Sequence, residues 1–120
     1  MDIKITQHNG INIAEVITDK IIIREVQDAV DLMAECNYQD SGRILLQDYN
    51  IAGDFFDLKT GVAGDILQKF SNYRVRLAIV GDFSKYPGKS LRDFIFESNK
   101  LGRIFFAENN QAAIERLSRP

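Results

Sequence analysis

Residues 54–84 read DFFDLKTGVAGDILQKFSNYRVRLAIVGDFS. Within them Ala63, Ile66, Leu67 and Phe70 recur at the spacing of one helical face, whereas Val75-Arg76-Leu77-Ala78-Ile79-Val80 is apolar at nearly every position. The first pattern predicts a helix over Thr60 to Phe70. The second predicts a strand covered on both faces, the usual state of a strand inside a parallel sheet. Thr60 stands where a hydroxyl can accept an otherwise unpaired amide of the first turn, so it is the expected N-cap. Asp65 near that end suits the helix dipole, and Gly81-Asp82 closes the strand.

Toward the N-terminus, Ile44-Leu45-Leu46 is a second continuous apolar run, ending at Gln47-Asp48, and reads as another central strand. Between these strands Tyr49 to Lys59 is the longest irregular stretch. Upstream, Val26, Ala29, Val30, Met33 and Cys36 form the buried stripe of an amphipathic helix. Ile3 and Ile5, then the run Ile11 to Ile17, flank Asn9-Gly10, a type I′ turn signal, so the chain opens with a β-hairpin. The alternation slips between Ile13 and Val16, which suggests a bulge. Toward the C-terminus, Phe83 to Lys89 is a loop. Ser90 with Asp93 resembles a capping box, and Leu91, Phe94, Ile95 and Ser98 line the helix that follows. Arg103 to Ala107 is the last strand, and Asn109 or Asn110 caps a terminal helix that turns Ala113, Ile114 and Leu117 inward. The expectation is a single α/β domain over residues 1–120: a mixed sheet of four to five strands, an N-terminal hairpin and about four helices.

Composition narrows the function classes. Fifteen basic and 17 acidic residues give a net charge of -2 and are mixed along the chain, which argues against binding nucleic acid or an anionic membrane through a broad electrostatic surface. No apolar run is long enough to span a bilayer, and Met1-Asp2-Ile3-Lys4 lacks the plan of a signal peptide, so a cytoplasmic protein without membrane insertion is expected. Cys36 and His8 are the only residues of their types. A disulfide, a thiolate metal cluster or a site needing a histidine pair is therefore excluded within one chain, and neither a metal nor a cofactor is expected. Gly61-x-x-Gly64 is too short for a dinucleotide loop or a P-loop and lacks the required lysine.

Ligands of parallel sheets usually sit outside the carboxyl ends of the strands. Here that places Asp48, Phe55, Thr60, Asp82, Ser84 and Lys89 around a cleft in which polar strand ends stand beside aromatics. Asp48 and Asp82 end two strands as metal-binding carboxylates do, but carboxylates there are also turn-formers. A receiver-domain reading fails on the opening hairpin and on Ile104-Phe105-Phe106, where a lysine would have to close the last strand. Lys85, Lys89 and Arg92 gather with Tyr86 around one loop, where they form a solvated rim or meet an anion. Phe55-Phe56 and Phe94-x-Phe96 cannot all face one core, which leaves an aromatic for a groove or a self-association surface.

Nearly the whole chain, and above all FFDLKTGVAGDILQKF, YRVRLAIVGDFSKY and KSLRDFIFESNK, resembles a bacterial family known as the domain of unknown function DUF 4180. That resemblance implies a bacterial cytoplasmic protein and names no activity. The order of elements, LAIVGD, and RIFFAENNQAAIERL also resemble the STAS fold of anti-sigma-factor antagonists and their SpoIIAA-like relatives. In the antagonists a loop motif D-S-S/T-G-L-G carries the phosphorylated hydroxyl before its glycine. Asp57-Leu58-Lys59-Thr60-Gly61-Val62-Ala63-Gly64 is similar and sets Thr60 at that place, although Asp57 lies three residues before it rather than two, Lys59 replaces a small residue and Ala63 stands at the second glycine.

The resemblance implies a non-enzymatic STAS-like regulatory or adaptor domain that binds a protein partner through Asp57, Lys59, Thr60 and Gly61. The alternative is a small-ligand-binding protein or an enzyme that uses the cleft of Asp48, Phe55, Asp82, Ser84 and Lys89. A third reading is a homodimer joined through the aromatic patch.

Overall fold

In the computed structural model, which describes residues 1–120, five strands form one sheet in the order in which they occur along the chain. β1 (Asp2–His8) and β2 (Ile11–Ile17) are the antiparallel hairpin, and β3 (Arg43–Gln47), β4 (Arg76–Val80) and β5 (Ile104–Ala107) follow in parallel to β2. Four helices, α1 (Val26–Tyr38), α2 (Val62–Asn72), α3 (Lys89–Leu101) and α4 (Asn110–Leu117), alternate with the strands. The hairpin turn has Asn9 at φ 53° and Gly10 at φ 77°, the doubly positive geometry that a type I′ turn requires.

The continuous apolar strands are explained by cover on both faces. Side chains alternate across a strand. Ile44, Leu46, Leu77, Ile79, Ile104 and Phe106 therefore enter one core with α1, α2 and α3, while Ile13, Leu45, Ala78, Val80 and Phe105 enter a smaller one with Ala113 and Leu117 of α4. The same fact corrects the bulge expected between Ile13 and Val16. The β1–β2 register is unbroken from Asp2↔Ile17 to His8↔Ile11. Ile13 and Ala14 are both buried because they face opposite helical layers.

Two helix starts also differ from the sequence reading. α2 begins at Val62 with Gly61 at the N-cap position and φ 78°, so Thr60 ends a preceding turn one residue before the cap, although its hydroxyl still accepts the first-turn amide of Val62 at 3.3 Å. α3 begins at Lys89 after Gly88 at φ 107°, and its first turn is joined by Lys89–Asp93 at 2.9 Å rather than by Ser90. In both cases glycine with positive φ turns the chain more sharply than a hydroxyl cap would.

The stretch 48–60 is three consecutive 3₁₀ turns, at Asp48–Asn50, Gly53–Phe56 and Leu58–Thr60. Asn50, fully buried, fixes the first of them. Its amide donates to the carbonyls of Thr18 and Lys20, both at 2.9 Å, and its oxygen accepts from Gln47 N. The loop after β3 is thereby tied to the segment after β2.

Cys36 lies in the core of α1, where burial, then the charge of Glu35, pushes its thiol up to about 11. Burial and the Asp48 carboxylate likewise raise Tyr86. Both groups hold protons in the folded chain that the unfolded chain releases, so their contribution to stability is complete below the unfolded pKa and is lost as pH rises through the folded value. Denaturation midpoints are expected to fall steadily above pH 9, the ordinary thiol value. Cys36 should not react with a thiol reagent at pH 8 until denaturant is added. Rapid labelling of the native chain would show that this helix opens.

Candidate functional site

The carboxyl ends of β3 and β4 carry the polar residues singled out in the sequence, but the structure divides them. Asp48 is only 5% exposed. Its Oδ2 accepts Lys85 Nζ at 2.6 Å and the Tyr86 hydroxyl at 3.1 Å, and its side chain stands directly against Gly81. The hydrogen bond to Asp48 raises the pKa of Lys85. The cleft expected above Asp48 is therefore filled by the chain's own Lys85 and Tyr86.

Asp82 turns the chain. Its Oδ1 accepts Ser84 N at 3.0 Å and Ser84 Oγ at 2.5 Å, and those bonds hold the carboxyl below the usual carboxylate range. This is the local bonding by which aspartate starts turns. Asp82 and Ser84 line a hollow of about 580 Å³ beside Ile95, Asn99 and Glu108. Lys89 is exposed and bound to Asp93. Phe55, expected in the cleft, is 1% exposed. It points into the core because the 3₁₀ turn sends successive side chains to different sides. Its ring meets Phe56 edge-on at 5.1 Å and Phe106 at 6.4 Å. The sequential strand order supplies the general reason for this dispersal: a crevice forms where strand order reverses, and here it never does.

What the structure does assemble is a groove of about 850 Å³ between the loop 53–59 and the start of α3. Its apolar surface comes from Phe56, Leu58, Tyr86, Pro87 and Leu91, with Asp57, Lys59 and Ser90 at the polar margin. The floor is rigid. Phe56 stacks on Tyr86 at 4.3 Å and 16°, Phe83 lies 6.2 Å from Tyr86, and Phe83 meets Phe106 edge-on at 5.0 Å. Tyr86 is also held by Asp48, so the buried carboxylate braces the groove instead of facing a ligand. Phe94, also set against Phe106 at 6.2 Å, belongs to this aromatic array, whereas Phe96 is exposed under Lys100.

Thr60 lies at the edge of this loop and is exposed. Its hydroxyl faces two carbonyl acceptors, Asp54 O at 2.7 Å and Asp57 O at 2.8 Å, and accepts Val62 N at 3.3 Å. Asp57 Oδ1 accepts Lys59 N at 3.2 Å and sets the same turn. Thr60 is thus the latch that folds residues 54–61 on themselves. The groove's apolar members other than Phe56 were not recognisable as a set beforehand: Leu58, Pro87 and Leu91 come from separate segments, and the Phe55-Phe56 doublet stays in one core, with Phe56 at its edge and Phe96 the ring that leaves it.

The side chains form no group of three or more His, Cys, Asp or Glu placed to hold a metal ion, and no helix is long and apolar enough to cross a membrane. Fold and groove together define a small α/β domain with a five-stranded mixed sheet, three helices on one face and one on the other. Residues 8–117 match the family described as a domain of unknown function (DUF4180), and the chain belongs to that family. No curated protein and no solved structure matches it.

Proposed function

We propose that the chain is a non-enzymatic bacterial regulatory or adaptor domain of the STAS-like (SpoIIAA-like) kind, which docks a protein partner in the groove beside Thr60. The observation that carries this reading is the groove itself. It has an apolar floor braced by Asp48 and Tyr86, lies open at the surface, and is bounded by the Asp57–Gly61 loop that the motif reading singled out. An apolar side chain of a partner fits over Phe56 and Leu91, and Lys59 meets a carboxylate at its margin. The hairpin followed by three parallel strands with intervening helices supports the STAS-like comparison.

Thr60 gives this surface a switch. Transfer of a phosphoryl group from a nucleoside triphosphate to its hydroxyl removes the proton shared with Asp54 O and Asp57 O. It also sets negative charge against two carbonyls, with Asp57 in the same turn. The loop then has to open, and the groove wall made by Leu58 moves with it.

Thr60→Ala is expected to cost about 1 kcal/mol through the lost hydroxyl bonds and to keep partner binding within a few fold. Thr60→Glu should weaken binding by tenfold or more. Denaturant titration and partner affinity for the two variants check this, and equal affinity for both would rule out the switch. The alternative, a small-molecule site at the strand ends, retains one specific support in the hollow beside Asp82 and Ser84. A thermal shift with a metabolite panel that Ser84→Ala abolishes and Leu58→Glu leaves intact would favour it.

A further inference from the structure

The three neighbouring parallel strands carry arginine at matching N-terminal positions. Arg43 pairs with Arg76, and Arg103 directly precedes Ile104, the partner of Leu77. Residues two apart share a face of a strand, so all three project to the α4 side with Leu45, Ala78 and Phe105. There Arg43 donates to Leu117 O at 2.5 Å and Arg119 O at 2.6 Å, and Arg76 donates to Arg119 O at 3.1 Å. Cations at the carbonyl end of a helix are stabilising, and that role accounts for these two residues.

It leaves Arg103 unaccounted for, and a cluster of cations around it. Arg103, Arg116, Arg119 and Lys100 join Arg76 around a pocket of about 220 Å³ that has no acidic residue in its lining. None of Arg43, Arg76, Arg103 and Arg116 takes part in a salt bridge. The adjacent carboxylates, Glu97 and Glu115, meet only Lys100 at 3.7 Å and Arg119 at 3.3 Å. Arg116 lies over the Phe105 ring and donates to the Asn99 carbonyl. Like charges opposed across strands repel. Burial, then Arg76 and Arg103, lower the pKa of Arg43. A protein of net charge -2 thus concentrates uncompensated positive charge at one end of its sheet.

We infer that this pocket binds a small, multiply charged phosphate compound of the pyrophosphate or nucleoside diphosphate class. Planar guanidinium groups match phosphate oxygens in pairs, and the three lining arginines without a salt bridge, Arg76, Arg103 and Arg116, carry more charge than one carboxylate would neutralise. The pocket's size and the net negative charge disfavour an extended nucleic acid. The site lies at the N-terminal ends of the parallel strands, away from the groove, and stands independently of the reading given to that groove.

The test is calorimetric titration of the full chain with sodium pyrophosphate, then ADP, at constant ionic strength, with citrate as a non-phosphate polyanion. The wild type should bind pyrophosphate, and Arg103→Gln, a residue without a salt-bridge partner, should bind at least tenfold more weakly with an unchanged ligand-free melting point. Arg119→Gln should weaken binding as well, and Lys59→Gln at the opposite end should not. Sedimentation with phosphatidylcholine vesicles carrying a phosphoinositide, competed by free pyrophosphate, would assign the same phosphate chemistry to a lipid headgroup. Absence of binding to pyrophosphate, ADP and these vesicles, equal binding by wild type and Arg103→Gln, or citrate binding as tight as pyrophosphate would overturn the inference.

Discussion

Replacing Phe55 by alanine is expected to lower the unfolding free energy by about 3–5 kcal/mol, the usual cost of emptying a buried aromatic site. The expectation rests on position. Phe55 is among the largest fully buried side chains, and its ring joins Phe56 to Phe106. Domains of this size have total stabilities of roughly 5–15 kcal/mol, so the variant would retain only part of its folding margin. Phe56→Ala should cost less, because its ring lies at the edge of the core over the groove. A urea titration of both variants decides the matter. A loss below about 1 kcal/mol at Phe55, of the size seen for surface changes, would return that ring to a ligand cleft.

The second large effect is expected at Gly81, where the constraint is a close approach. A methyl group there would stand 2.6 Å from Asp48 Cγ, 2.8 Å from its Oδ2 and 2.9 Å from its Cβ. Asp48 cannot simply move aside. It is buried and held by Lys85 and Tyr86. Moving the end of β4 instead would stretch Gly81 N–Ala107 O, now 3.0 Å. Gly81→Ala is therefore expected to cost about 2–3 kcal/mol, the range for overpacking a fixed site, and to lower the melting point by roughly 10 °C in a domain of this length. The double variant Gly81→Ala with Asp48→Gly should cost less than the sum of the two single changes, because the collision is absent once the Asp48 side chain is gone. A melting point within 2 °C of wild type for Gly81→Ala alone would show that the Asp48 contact is loose.

These two sites mark the boundary between what local pattern reveals and what tertiary contact adds. The strands at Leu45 and Ala78 were legible because cover on both faces leaves a continuous apolar run, and the hairpin because Asn9-Gly10 admits few other conformations. Helix starts were less legible: Thr60 and Ser90 are good cap residues by type, yet Gly61 and Gly88 took those places through positive φ. Asp48 and Asp82 looked alike in sequence, each closing a strand. Only the packing of Tyr86 from a loop 38 residues away makes the first a buried brace and leaves the second a turn. The arginine row was invisible for the same reason. Arg43, Arg76 and Arg103 are about thirty residues apart and become neighbours only through the sheet register.

Residue-specific photo-crosslinking in the source cells tests the docking surface most directly. A photoreactive side chain is placed at Leu58, within the groove, or at Tyr73, exposed at the end of α2 outside it. Irradiation at position 58 is expected to yield one discrete adduct whose mass identifies a second protein, reduced at least tenfold when Thr60→Glu is added, with no matching adduct at position 73. Adducts of equal yield at the two positions, or an adduct at position 58 composed only of a second copy of this chain, would contradict the account.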